Sequence, residues 1–72
     1  MPKEIPWHEL TEEEKVVVEY FVAFKSVGEI IALQELRRKG IKRPTLVLDS
    51  LVKKGIIRHG EGCYSLAKEY RV

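Results

Sequence analysis

The sequence contains no asparagine, and only one cysteine, one methionine, one glutamine and one tryptophan among its 72 residues. Cys63 has no partner for an internal disulfide, and with only His8 and His59 beside it in the inventory it cannot complete a structural zinc site. No metal or cofactor is expected, and stability has to come from packing. Three prolines and five glycines are too few for a linker or a low-complexity segment, while 44% hydrophobic and 33% charged residues are the proportions of a folded globular chain. No stretch approaches the roughly 18 consecutive apolar residues that span a bilayer. The start Met1-Pro2-Lys3-Glu4 lacks the apolar run of a signal peptide, so an intracellular, cytoplasmic protein with no membrane partner is expected. The missing Asn, against a surplus of Glu, Lys, Arg, Val and Ile, is a balance common in proteins from hot environments.

What is present reads as one domain over residues 1–72: an N-terminal arm (1–10), a core (11–67) and a short tail (68–72) that is polar and expected to fray. Thr11 followed by Glu14 is a capping box, with Glu12, Glu13 and Glu14 filling a first helical turn. Val17, Tyr20, Phe21 and Phe24 then form an apolar stripe, and Val18 and Val22 fall on the opposite side. Ser26-Val27-Gly28-Glu29 repeats the S-x-x-E logic and predicts a second helix start, with Ile30, Leu33 and Leu36 inward, Gly40 as a C-cap and Ile41 packed beneath it. Pro44 suits the first position of a third helix, whose inner stripe is Leu48, Leu51 and Val52. Two β-prone runs, 56–59 and 62–66, flank Gly60-Glu61, which fits a type II′ hairpin turn. Alternation then puts Ile57, Tyr64 and Leu66 on the core face, and Ile56, Arg58, Cys63 and Ser65 on the other.

The run Ser26-Val27-Gly28-Glu29-Ile30, the pattern Leu48-x-x-Leu51-x-x-x-Gly55-Ile56-Ile57 and then Tyr64-Ser65-Leu66 together resemble small archaeal and bacterial winged helix-turn-helix domains. The resemblance covers residues 11–67 and implies a mainly α fold, three helices plus a two-stranded wing. It also implies duplex DNA as a partner, met by helix three and the wing, or a protein partner in a replication or transcription complex, since such folds serve both purposes.

Charge is distributed in favour of the first partner. Net charge is only +2, but residues 1–24 carry two basic and six acidic groups, whereas residues 37–58 carry eight basic groups against Asp49 alone. In the resembled fold that stretch is the turn, the recognition helix and the first wing strand, so Lys42, Arg43, Lys53, Lys54 and Arg58 are candidate phosphate contacts, with Thr45, Leu46 and Ser50 nearest the bases. Arg37, Arg38, Lys39, Lys53 and Lys54 are equally explained as complements to helix C-terminal dipoles. Helix three offers Leu46, Val47, Asp49 and Ser50 where a sequence reader would carry Arg, Asn or Gln, so any DNA contact is expected to be sequence-tolerant. The expectation is a small transcription or chromatin factor; the alternative is a protein adaptor that buries Leu46 and Val47, or Val18 and Val22, against a partner.

Other residues point elsewhere or nowhere. His8-Glu9 is not a zinc-protease motif because position 12 is Glu, and no set of residues forms a catalytic constellation, so no enzyme activity is expected. Val18 and Val22, one turn apart and downstream of Trp7, form a candidate twofold interface, and a homodimer is the corresponding expectation. The bland reading of the same residues is that Trp7 covers the end of the core and the valines have no partner.

Overall fold

The computed structural model describes residues 4–70; positions 1–3 and 71–72, which include most of the signal-peptide reading and the end of the expected tail, lie outside the described residues. It contains three helices, α1 (Glu12–Phe24), α2 (Glu29–Arg38) and α3 (Pro44–Lys53), and three strands, β1 (Ser26–Gly28), β2 (Ile57–Gly60) and β3 (Cys63–Leu66), with one-turn 3-10 helices at Trp7–Glu9 and Lys68–Tyr70. The strands form one antiparallel sheet in the order β1-β3-β2. This is a winged-helix-like architecture, mainly helical with a small β-hairpin. No helix among the described residues is long and apolar enough to cross a membrane.

The helix ends follow from local chemistry. Glu14 N–H donates to Thr11 Oγ1 at 3.2 Å and Thr11 N–H donates to Glu14 Oε1 at 2.9 Å, completing the capping box of α1. After α2, Gly40 takes φ 99° and Ile41 N–H donates to Leu36 C=O at 3.1 Å, the bond that closes a helix over a left-handed glycine. Pro44 begins α3, and Gly55 (φ 78°) ends it in the same way, with Ile56 N–H reaching Leu51 C=O at 3.1 Å.

The second predicted capping box does not form. Ser26–Gly28 is strand rather than helix cap, and Gly28 caps α2 without any side-chain bond. The Glu29 N–H that a serine cap would have served donates instead to Gly62 C=O at 2.9 Å, and at the other end of the strand Lys25 C=O accepts from Leu66 N–H at 2.7 Å. The two-stranded wing, β2 and β3, is therefore joined to the helices by a third strand that the sequence did not announce.

The hairpin turn also lies one residue later than predicted. Gly60 pairs with Cys63 inside the sheet, and the loop is Glu61-Gly62 with the positive φ (70°) at its second position, as a type II turn requires. A loop at Gly60-Glu61 would have set Ile57 opposite Tyr64, whereas Ile57 is opposite Leu66. A two-residue shift leaves every side chain on its face, so Ile57, Tyr64 and Leu66 are still buried. Ile56 is buried too, against expectation, because it precedes β2 and belongs to the closing turn of α3, where its C=O accepts from Ala67 N–H at 2.9 Å.

One cluster of buried side chains joins all three helices and the sheet, from Leu10, Val17, Val18 and Phe21 through Leu36, Leu48 and Leu51 to Ile57, Tyr64 and Leu66. The inner face of α1 is wider than its expected stripe, because the helix packs on α3 to one side and on β1 and β3 to the other. Val18 is consequently fully buried and Val22 half-buried against the core. At the start of the tail Ala67 is buried, and Tyr70 packs on the core.

Candidate functional site

The structure places the sequence-predicted DNA-contact residues in two settings. Lys42, Arg43, Thr45, Leu46, Lys53 and Arg58 are all exposed, the first two at the entrance of α3 and Arg58 on β2. Lys54 and Ser50 are not available in the same way, because Ser50, in the last turn of α3, and Lys54, its C-cap, both bind Glu14. Lys54 Nζ lies 3.0 Å from each carboxylate oxygen, Ser50 Oγ donates to Oε2 at 2.8 Å, and Lys54 also reaches Glu9 C=O at 3.4 Å. Glu14 is the one buried charged residue among the described residues, 4% exposed. Burial pushes its carboxyl upward, but bonds from Thr11 N–H, Lys54 and Ser50 favour the ionised form more, and the net shift is downward. Lys54 and Ser50 thus hold α1 to α3, where the sequence alone offers them as candidate DNA contacts.

The expected twofold interface has no surface to form on. Val18 is inaccessible and Val22 mostly covered, leaving Trp7, 38% exposed on the first 3-10 helix, as an isolated contact. The cause is the breadth of the buried face of α1.

The large exposed apolar groups cluster elsewhere. Phe24 is 62% exposed and Ile31 57% exposed, and both line a groove of about 560 Å³ between the end of α1, strand β1 and α2. Phe24 lies on the core side of the helical wheel but in the last turn, beyond the core's rim, where its ring stacks obliquely on Tyr20 at 4.9 Å. Ile30, expected inside, is 72% exposed, because the inward direction of α2 runs through Ala32 and Leu36. Tyr20 forms the groove's floor, with Lys39 Nζ 5.8 Å from its ring centroid. Glu35 also lines the groove and pairs with Arg38 at 3.6 Å; after burial, its charge helps to raise the Tyr20 phenol above its ordinary range, so the lining holds one cation and one carboxylate. The sequence signal for this groove is an aromatic at the end of α1 followed by two adjacent isoleucines at the start of α2.

A second, smaller apolar hollow of about 400 Å³ lies at Leu46 and Val47, beside Lys42, Arg43 and Glu13. At the sheet, His59 stacks on Tyr64 at 4.2 Å and its Nε2 lies 3.3 Å from Glu29 Oε1. Burial first, and then Glu29 and Asp49, raise the Tyr64 phenol above its ordinary range. Tyr64 is only 1% exposed, while His59 and Glu29 are partly open to solvent, and together the three tie the wing to the start of α2.

Fold and surface together define a small winged-helix-like domain with an exposed apolar groove beside its sheet. The sequence model of a family described as PolB1 Binding Protein 2 matches residues 11–72, and the chain belongs to that family. No curated protein matches it.

Proposed function

We propose that this protein is a protein-binding subunit of a replication complex, that its partner is the polymerase PolB1, and that it docks through the groove between α1, β1 and α2. The family's description supplies the partner. The observation that carries the docking site is the exposure of Phe24 and Ile31 around one cavity, since apolar side chains gathered in a concavity mark an interaction surface whereas scattered ones do not. Ile31→Glu puts a charge where an apolar contact forms and lies away from the core. It is expected to weaken binding to purified PolB1 at least tenfold, measured by fluorescence anisotropy, with the melting temperature unchanged. Wild-type affinity in this variant would move the docking site elsewhere.

A second reading rests on the exposed cations Lys42, Arg43, Lys53 and Arg58: the domain also contacts the phosphate backbone of DNA, in a sequence-tolerant manner. With Lys54 engaged by Glu14, four cations rather than five are available, so log Kd for duplex DNA is expected to change with log salt by about 3 to 4 per unit. The alanine double variant K42A/R43A should lower that slope by about 2, equally for any duplex sequence. A salt-independent affinity, or none, removes this reading.

A further inference from the structure

The groove has a wall that is not made of side chains. Strand β1 is an edge strand, paired with β3 on one side only. The bonds that bracket the pairing, Leu66 N–H to Lys25 C=O and Glu29 N–H to Gly62 C=O, fix which backbone groups face which way. Val27 lies opposite Tyr64 and turns its N–H and C=O to β3. In an antiparallel ladder the neighbouring residues turn theirs to the other side, so Ser26 N–H, Ser26 C=O and Gly28 N–H point away from the sheet. Ser26, Val27 and Gly28 all line the groove.

We infer that the groove takes its partner as an extended segment that adds to the β1 edge as a fourth strand; this rests on the protein-binding function proposed above. An unpaired edge next to an apolar trough supplies what strand addition needs: backbone bonds give affinity, and alternate side chains of the incoming segment fall into the trough and out of it. One apolar side chain of the segment would lie between Phe24 and Ile31. Lys39 and Glu35 both line the trough with opposite charges, so it is the apolar side chain of the segment, rather than a charge, that the trough selects. The edge is three residues long and is followed at once by α2, which limits the pairing to a short stretch and makes the trough contacts necessary for stable binding.

Gly28 allows the backbone contribution to be tested separately. Its φ of −58° suits proline, Val27 before it is in a strand, as the residue preceding proline must be, and a Cβ added there meets only Ile31 Cδ1 at 4.0 Å. Gly28→Pro therefore removes the groove-facing N–H without breaking a bond to β3, and Gly28→Ala adds a side chain while keeping the N–H. Binding to PolB1 should weaken at least tenfold in Gly28→Pro and less than threefold in Gly28→Ala, with both variants folded by circular dichroism. Amide exchange should agree: Val27 N–H is slow in the free protein, while Ser26 and Gly28 N–H become slow only in the complex. If Gly28→Pro binds like Gly28→Ala, or if the Ser26 and Gly28 amides stay fast in the complex, strand addition is overturned. Loss of binding in Ile31→Glu would then still leave the docking groove standing. If wild-type protein fails to bind PolB1, the functional reading falls and this inference with it.

Discussion

Truncating Leu51 to alanine is expected to destabilise the domain by about 2–5 kcal/mol, more than the loss of any one surface contact would cost. Leu51 is fully buried on the inner face of α3, and its C=O also accepts the Ile56 N–H that closes the helix. Among the described residues the buried apolar side chains form one core cluster, so the loss falls on the packing that holds all three helices and the sheet together. Total stability of such domains is itself on the order of 5–10 kcal/mol, so a substantial unfolded fraction is expected near the upper end of that range. Lys53→Ala, two residues away and exposed, should leave the unfolding free energy measured in urea within about 0.5 kcal/mol of wild type. Equal destabilisation by the two substitutions would mean that the inner face of α3 is misassigned.

Where local chemistry decides, the sequence is readable. Thr11 with Glu14, Gly40 with Ile41 and Pro44 each encode a helix end in two or three nearby residues, and all three ends lie where those residues put them. Where tertiary partners decide, it is not. Ser26-x-x-Glu29 carries the local pattern of a helix cap, yet its backbone is claimed by β3, which begins at Cys63, and no local signal reports that competition. Val18 departs from its expected place for a related reason: one helical stripe describes packing against one neighbour, and α1 has the sheet as well as α3.

The candidate surfaces divide along the same line. Exposed cations such as Lys42 and Arg43 can be found by counting charge, because their environment is water. Lys54 cannot be told from them, since its partner Glu14 is 40 residues away in sequence. The groove at Phe24 and Ile31 depends on which apolar residues fall beyond the rim of the core, and that rim exists only once β1 has joined the sheet.

Replacing Glu14 should produce the second-largest loss, and one with a distinctive dependence on pH. Its carboxylate binds Thr11 N–H, Ser50 Oγ and Lys54 Nζ at once, so it caps α1 and ties that cap to α3. Glu14→Gln keeps the size of the side chain but sets an uncharged amide against the ammonium. Breaking a fully buried ion pair costs about 3–5 kcal/mol, but the side chain of Lys54 is 39% exposed and can turn to water, so about 1–3 kcal/mol is expected at pH 7. The folded-state carboxyl is depressed below its ordinary value of 4.5. Its contribution is therefore complete above that value, and it is lost as pH falls through the lower, folded one. Urea unfolding at pH 7 should show the full difference between wild type and Glu14→Gln, and the gap should close as the pH is taken down through the acid range. Lys54→Met should remove part of the same energy, and the double variant should lose less than the sum of the two. A gap that stays constant from neutral to acid pH would show that the charge on Glu14 contributes nothing and that its hydrogen bonds alone hold α1 to α3.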